Sequence, residues 1–169
     1  MLKNISQDVL KNIKLIIFDV DGVLTNGNLY YGPDGECFKV FNAKDGLGIS
    51  RLTKAGFPIA IITGRESSFV KKRAEDLGIQ HVYQGKLKKI PAFEDLKNKL
   101  GLLEQQIAYM GDDFIDLPVM QRVGLAACPK DAMPYIQGFC HFVSQFNGGM
   151  GAARELCDLV WESQHSCCI

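Results

Sequence analysis

Residues 16–27 read IIFDVDGVLTNG and carry the strongest structural signal in the chain. The unbroken apolar run Ile16–Phe18 predicts a buried strand, of the kind found in parallel sheets that are covered on both faces. This strand runs directly into two carboxylates, Asp19 and Asp21, and then into Gly22. Because ligands of open parallel sheets bind at the carboxyl ends of the strands, the stretch predicts an α/β fold with a polar site immediately after its first strand.

The rest of the chain continues this alternation of apolar runs and amphipathic segments. Further strands are predicted at FPIAIITG, HVYQG, QIAYMGD, VGLAACP and CHFVS. Helices are predicted between them at DGLGISRLTKAG, ESSFVKKRAEDLG, KIPAFEDLKNKLG and DFIDLPVMQRVG, with a closing helix at GMGAARELCDLVWESQ. Several of these segments end in glycine, as helices commonly do. The alternation indicates a Rossmann-like parallel sheet flanked by helices.

Residues 22–41 break the pattern, because two β-rich runs surround the turn sequence GPDG. They predict a β-hairpin inserted after the first strand. Its apolar and aromatic side chains would form an awkward exposed surface on a monomer, which favours an interface; they are Leu29, Tyr30, Tyr31, Phe38 and Phe41. The length of the chain fits one domain, which we expect to span residues 1–169.

Composition excludes several classes of function. The 169 residues carry 19 basic and 19 acidic side chains, so a global basic footprint for nucleic acid is absent. No apolar run approaches membrane-spanning length, and the charged N-terminus does not resemble a secretory signal. The six cysteines form no CxxC pair. We therefore expect a cytoplasmic protein with reduced thiols, and neither a nucleic-acid nor a membrane partner.

Acidic residues follow two separate predicted strands: Asp19 and Asp21 after the first, and the segment GDDFID, residues 111–116, after QIAYMGD. A single aspartate after a strand is usually a turn former or a helix cap. Two acidic pairs at one sheet edge would repel each other unless a cation lies between them, and oxygen ligands suit Mg²⁺. Asp19 and Asp21 also face the same side of an extended chain, so one can act as nucleophile and the other as general acid and base.

Four segments match, in this order, the signature of the haloacid dehalogenase superfamily: DVDGVLT, IITGR, a lysine in YQGKLKK, and GDDFID. The pattern DxDGxxT is typical of the phosphatases of that superfamily. The chain resembles these enzymes over residues 14–128, and the resemblance implies the same Rossmann-like fold. The first insertion is only a hairpin, so the chain resembles the members without a cap domain, which generally close the site by forming oligomers.

The resemblance implies a role for each matching residue. Asp19 would attack phosphorus to form an aspartyl-phosphate, and Asp21 would protonate the leaving alcohol and then activate water. Thr63 would donate a hydrogen bond to a phosphoryl oxygen. Asp112 would bind Mg²⁺ together with Asp19 and the backbone carbonyl of Asp21, with Asp113 beside it near the substrate.

The lysine of the third segment is ambiguous from the residues alone, because Lys86, Lys88 and Lys89 all follow the third predicted strand. Two of the three are expected to belong to a solvated helix start. The family pattern, YQG followed by three variable residues and then lysine, favours Lys89 as the residue that contacts both nucleophile and phosphate.

Within the superfamily, the chain is most similar to the 3-deoxy-D-manno-octulosonate 8-phosphate phosphatases. The matching segments include YYGPDGE, FNAKDGLG, IITGRES, HVYQG, IAYMGDDFIDLPVM and GGMGAARE. The resemblance implies hydrolysis of that acidic sugar phosphate in lipopolysaccharide precursor biosynthesis, by a homotetramer whose hairpins cover neighbouring sites. It also implies substrate contacts from Asn42, Ala43, Lys44, Asp45, Gly46, Arg65 and Arg73, in addition to Asp21, Lys89 and Asp113.

Three alternatives stay open at this point. The first alternative keeps the fold and is a phosphatase for a related nine-carbon acidic sugar 9-phosphate, or a promiscuous sugar phosphatase. A non-catalytic, oligomer-forming relative is a second alternative, against which the retention of Asp19, Asp21, Lys89 and Asp112 argues. A nucleotide- or nucleic-acid-binding module is a third, but the chain has neither the charge nor a phosphate-binding loop for it.

Overall fold

The computed structural model describes residues 5–165. Its centre is a six-stranded parallel sheet with the order β5-β4-β1-β6-β7-β8. The strands are β1 (Leu15–Phe18), β4 (Ile59–Ile62), β5 (His81–Tyr83), β6 (Ile107–Met110), β7 (Leu125–Cys128) and β8 (Phe142–Val143). This confirms the parallel sheet predicted from the sequence, and it places β1 between β4 and β6.

Each of the four central strands is buried along its whole length. Alternate side chains feed two separate cores, since neighbouring residues of a strand face opposite sides of the sheet. Ile16 and Phe18 contribute to a core with the helices on one face of the sheet, whereas Leu15 and Ile17 contribute to a core with the helices on the other face. The continuous apolar strands therefore reflect a sheet covered on both faces.

The helices are α1 (Gln7–Asn12), α2 (Ala43–Lys54), α3 (Ser68–Leu77), α4 (Ile90–Leu100), α5 (Leu117–Met120), α6 (Pro134–Phe139) and α7 (Ala152–His165). One predicted helix is much shorter than expected. DFIDLPVMQRVG forms only α5, because residues 112–116 fold into a loop whose amides bond to the Asp116 side chain. α6 begins at Pro134, a favourable first helical residue, in a segment where sequence patterning indicated no element.

The predicted hairpin is also present, as strands β2 (Tyr30–Gly32) and β3 (Gly35–Phe38) in a separate two-stranded antiparallel sheet. The tight turn between them uses Gly35 at φ +109°, a backbone conformation that favours glycine. The rings of Tyr30 and Phe38 stack with centroids 4.5 Å apart across the hairpin. Between β1 and β4 the chain inserts this hairpin and α2, with no cap domain.

No helix within residues 5–165 combines the length and the apolar character needed to cross a bilayer. The sequence of the C-terminal tail, including Cys167 and Cys168, lies outside the described residues, and the extent of the domain over residues 1–169 stays a prediction.

Candidate active site

The acidic residues predicted to share one edge of the sheet are close together in space. Asp19 directly follows β1, and its backbone N–H donates to the carbonyl of Met110 at the end of β6, 3.0 Å away. Because β1 and β6 are adjacent and parallel, the chain after β6 brings Asp112 and Asp116 alongside Asp19. One carboxylate oxygen from each of these three residues lies within 4.8 Å of the others.

The turn after β1 leaves space for this cluster because of Gly22. Gly22 has φ +87°, and a Cβ atom added there would lie only 2.0 Å from Oδ2 of Asp112. The hydroxyl of Thr25 holds the turn: it donates to the carbonyl of Val20 at 3.3 Å and accepts from the backbone N–H of Gly27 at 3.2 Å. The glycine and threonine of DxDGxxT thus shape the backbone that presents the carboxylates.

One cationic side chain lies within the acidic cluster. Lys89 immediately precedes α4 and is only 2% exposed, with Nζ 3.0 Å from Oδ1 of Asp19 and 2.6 Å from Oδ1 of Asp116. Burial alone would lower the pKa of Lys89, but the two carboxylates outweigh it and the pKa is raised. Lys86 and Lys88 are exposed, so of the three candidate lysines Lys89 is the one that the structure brings to Asp19.

Asp116 is fully buried and serves mainly to fix its neighbours. Its Oδ1 accepts from the Tyr109 hydroxyl and from Lys89, both at 2.6 Å, while Oδ2 accepts from the backbone amides of Asp112 (3.1 Å) and Asp113 (3.3 Å). With both oxygens engaged, Asp116 organises the loop and Lys89. Sequence reasoning missed Tyr109; the available signal was a hydroxyl-bearing residue inside an otherwise aliphatic buried strand.

The electrostatics of the cluster favour an added cation. Burial, followed by repulsion from Asp116, raises the pKa of Asp19 to about 6. Burial and then repulsion from Asp116, Asp19 and Asp113 raise the pKa of Asp112 to about 8. Oδ1 of Asp19 is buried and makes no hydrogen bond of acceptable geometry, although the Lys89 ammonium is close to it. Crowded carboxylate oxygens with spare lone pairs fit a hard divalent cation such as Mg²⁺.

Asp21 faces the hairpin rather than this cluster. Its Oδ1 lies 2.5 Å from Nζ of Lys39, and its Oδ2 lies 3.7 Å from Nε of Arg65. Arg65 in turn donates to the Tyr31 hydroxyl at 2.6 Å. Thr63 is buried at the end of β4, where its backbone N–H donates to the carbonyl of Tyr83 at 2.9 Å. The carboxyl ends of β1 and β4 thus bring Asp21, Thr63 and Arg65 to the same edge of the sheet.

The predicted substrate contacts at the start of α2 differ in their exposure and in their hydrogen bonds. Ala43 and Lys44 are exposed, whereas the side chain of Asn42 caps α2 by accepting from the N–H of Lys44 at 2.7 Å. Asp45 is buried and accepts from the backbone amides of Gly151 (3.3 Å) and Arg154 (2.9 Å) at the start of α7. The carboxylate of Asp45 is therefore engaged within the fold, and its substrate role stays a prediction.

The remaining predicted contacts lie on either side of the cluster. Arg73 donates to the backbone carbonyl of Asn42 at 3.2 Å and borders Gly46, where an added Cβ would lie 2.1 Å from the Arg73 guanidinium. Asp113 lies outside the acidic triad; its Oδ1 accepts from the backbone N–H of Phe114 at 2.6 Å and from the Tyr135 hydroxyl. The substrate roles of Arg73 and Asp113 stay predictions.

Comparisons with known proteins identify relatives of this chain in sequence and in fold. A family described as haloacid dehalogenase-like hydrolase matches residues 79–156. The chain is 45% identical over 163 residues to the 3-deoxy-D-manno-octulosonate 8-phosphate phosphatase KdsC of Escherichia coli strain K12, covering 95% of this chain and 87% of that protein. It superposes on the crystal structure of the Yersinia pestis phosphatase of the same name with a TM-score of 0.91 and 44% identity, covering 94% and 85% of the two chains.

A further solved structure holds ligands. The phosphatase of this name from Moraxella catarrhalis was crystallised in complex with a magnesium ion, a phosphate ion and a KDO molecule, KDO being the sugar acid 3-deoxy-D-manno-octulosonate. It shares 37% sequence identity with the present chain at a TM-score of 0.91, over 95% of this chain and 92% of that one.

Proposed function

The chain belongs to the 3-deoxy-D-manno-octulosonate 8-phosphate phosphatase family of haloacid dehalogenase-like hydrolases, and from this premise we propose that it hydrolyses that sugar phosphate to the free sugar acid and phosphate. The observation that carries the proposal is the placement of Asp19, which lies at a sheet edge between Lys89 and Asp112. A carboxylate nucleophile needs such surroundings, because a dianionic phosphate would otherwise repel it.

The reaction begins with attack by a carboxylate oxygen of Asp19 on phosphorus. The new O–P bond forms an aspartyl-phosphate as the bond to the sugar oxygen breaks, and Asp21 supplies the proton that the departing alcohol needs. Asp21 then removes a proton from the water that attacks the aspartyl-phosphate. Hydrolysis returns Asp19 as a carboxylate and releases phosphate.

The other residues stabilise charge on the transferring group. Lys89, held by Asp116, neutralises the nucleophile and donates to a phosphoryl oxygen, and Thr63 donates to another. Asp19, Asp112 and the Asp21 backbone carbonyl would hold Mg²⁺, which when bound would offset the negative charge of the phosphoryl oxygens. Asp113, the residue after Asp112, is proposed to contact the substrate.

The sugar acid requires cations beyond the phosphate site, since it carries a carboxylate of its own. Lys44, Arg65 and Arg73 are the basic residues proposed to meet it, with Asn42, Ala43, Asp45 and Gly46 shaping the segment that carries Lys44. The bound KDO molecule in the Moraxella catarrhalis relative supports a sugar acid as the ligand of this site.

A phosphate-release assay tests the function. The chain should release phosphate from 3-deoxy-D-manno-octulosonate 8-phosphate with Mg²⁺ and lose that activity with EDTA. A nine-carbon acidic sugar 9-phosphate and neutral hexose phosphates should be poorer substrates.

Asp19→Asn should lower kcat by about 10⁶-fold, the scale seen when a covalent nucleophile is removed. Asp76→Asn, on the exposed face of α3, is the matched control and should leave kcat unchanged. A higher kcat/KM for the nine-carbon sugar phosphate would show that this compound, and not the proposed one, is the preferred substrate. Undiminished turnover by Asp19→Asn would refute the mechanism.

A homotetrameric assembly and a cytoplasmic location are proposed with the same function. Support for assembly comes from large apolar side chains on and beside the hairpin that are 47–60% exposed, namely Leu29, Tyr31, Phe38 and Val40. Light scattering should give four times the chain mass. Phe38→Lys should reduce that mass, whereas Leu103→Lys, at an exposed site before β6, should not. Support for the location comes from Cys37, Cys128 and Cys157, which are free thiols.

A further inference from the structure

A buried lysine connects the hairpin to Asp21. Lys39 follows β3, and its side chain is only 2% exposed although it lies at the end of the inserted hairpin. Its Nζ lies 2.5 Å from Oδ1 of Asp21 and 3.0 Å from Oε1 of Glu36. The ammonium group thus bridges a carboxylate of the hairpin and a carboxylate of the catalytic turn.

The hairpin end of this bridge is itself anchored to the sheet. Oε2 of Glu36 accepts from the Ser67 hydroxyl at 2.6 Å, at the residue that precedes α3. Burial works to raise the pKa of Glu36, but the hydrogen bonds from Ser67 and Lys39 prevail and the pKa is lowered, so Glu36 stays ionised. Arg65 adds a second connection, because it donates to the Tyr31 hydroxyl and lies 3.6 Å from Glu36.

The charge balance argues against Lys39 as a substrate-binding group. Two carboxylates, those of Asp21 and Glu36, face the single ammonium at ion-pair distance. The positive charge is thereby fully compensated, and 2% exposure leaves it little access to a substrate anion. Its effect is therefore exerted through the residues that it contacts, and the nearer of these is Asp21.

This contact gives the two carboxylate oxygens of Asp21 different surroundings. Oδ1 is held by Lys39 at 2.5 Å, whereas Nε of Arg65 lies 3.7 Å from Oδ2, beyond hydrogen-bond distance. A carboxyl group can accept a hydrogen bond at one oxygen while the other carries or removes a proton. Fixing Oδ1 thus sets the direction in which Oδ2 meets the leaving oxygen and, later, the attacking water.

We propose that Lys39 is a positioning residue that orients Asp21 for proton transfer and makes that transfer depend on the placement of the hairpin. The inference rests on the function proposed above. In the first step the proton moves from Oδ2 of Asp21 to the sugar oxygen as its bond to phosphorus breaks and the bond from Asp19 to phosphorus forms. In the second step Oδ2 takes a proton from water.

Leaving-group dependence separates this role from a purely structural one. An alkoxide leaves only with a proton, whereas p-nitrophenolate leaves without one, so misalignment of Asp21 affects the two substrates differently. Lys39→Met should lower kcat/KM for the sugar phosphate by about 10²-fold, the scale of a misplaced catalytic group. For p-nitrophenyl phosphate the loss should stay below about 10-fold, because that step does not need the acid.

The variants are chosen to control for folding and charge. Lys39→Arg restores the cation and should recover most of the loss on the sugar phosphate. Glu36→Gln with Lys39→Met removes both buried charges of the hairpin and should show the same substrate-dependent loss even if Lys39→Met alone is unstable. Lys72→Met, an exposed lysine paired with Asp76, should be unchanged on both substrates.

The outcomes distinguish the inference from the function on which it rests. A wild-type chain that hydrolyses neither substrate overturns the proposed function and the inference with it. An active wild-type chain whose Lys39 variants lose equal factors on both substrates, or lose nothing, overturns the inference alone. A selective loss on the sugar phosphate that Lys39→Arg restores supports it.

Discussion

The α-carbon of Gly22 lies so close to the Asp112 carboxylate that a methyl group on Gly22 would stand 2.0 Å from Oδ2. The turn after β1 and the loop after β6 are thus in contact at the point where the two strands present their carboxylates.

Gly22→Ala should lower Mg²⁺ affinity and kcat, because the new methyl group displaces the Asp112 carboxylate. Gly56→Ala is a matched control: Gly56 also has a positive φ, +81°, but an added Cβ there meets nothing within 4 Å. Both variants should lose about 1–2 kcal/mol of stability from the strained backbone. Titration calorimetry with Mg²⁺ should show weakened binding for Gly22→Ala alone, and equal binding by the two variants would contradict the steric explanation.

Lys89→Met should lower both activity and stability. Removing the ammonium leaves Asp19 and Asp116 buried without their cation, and breaking a buried ion pair in this way costs about 3–5 kcal/mol. The loss of a preorganised donor should reduce kcat by about 10²–10³-fold. Urea unfolding and steady-state kinetics measure the two effects. Lys88→Met, one residue earlier and exposed, should show neither, and a comparable loss in that control would undermine the assignment of Lys89.

Stability without metal should fall as pH rises from about 5 to 9. The pKa of Asp19 is raised to about 6 and that of Asp112 to about 8 in the folded protein, so the folded state binds protons more tightly than the unfolded chain. The resulting stabilisation is complete at low pH and is lost as pH passes through these values. Mg²⁺ should therefore raise Tm more at pH 8.5 than at pH 5.5.

Differential scanning fluorimetry with EDTA or Mg²⁺ measures this pH dependence. Asp112→Asn carries no titrating carboxyl at that position, and its metal-free Tm should fall less over the same range. An identical fall in Asp112→Asn would mean that groups elsewhere produce the pH dependence.

Asp45→Ala should destabilise the protein through α7. The Asp45 carboxylate accepts from the backbone amides of Gly151 and Arg154, and its removal leaves both donors without that acceptor. The cost of such unsatisfied groups is about 1–3 kcal/mol. Asp76→Ala, on the exposed face of α3, should change the free energy of unfolding by less than about 0.5 kcal/mol. Equal stability of the two variants by urea unfolding would show that this cap contributes little.

The alternation of apolar runs and amphipathic segments was sufficient to predict the sheet, the hairpin and the main helices. The first strand, for example, is buried at each position, as its unbroken apolar run indicates. The helix predicted over DFIDLPVMQRVG was wrong over most of its length, because Asp116 bonds to the amides of its own loop rather than continuing a helix. Local periodicity does not reveal such competition from a buried side chain.

Sequence was enough to identify Asp19 and Asp112 as partners, because residues that directly follow parallel strands come to one edge whatever the details of packing. The residues alone leave three lysines as candidates, among which only the family pattern favours Lys89, and they indicate no role for Tyr109 or Lys39. Their contacts depend on the order in which strands lie side by side and on how the hairpin folds back over the β1 turn. Those relations join residues far apart in the chain, so only the tertiary structure sets which cation meets which carboxylate.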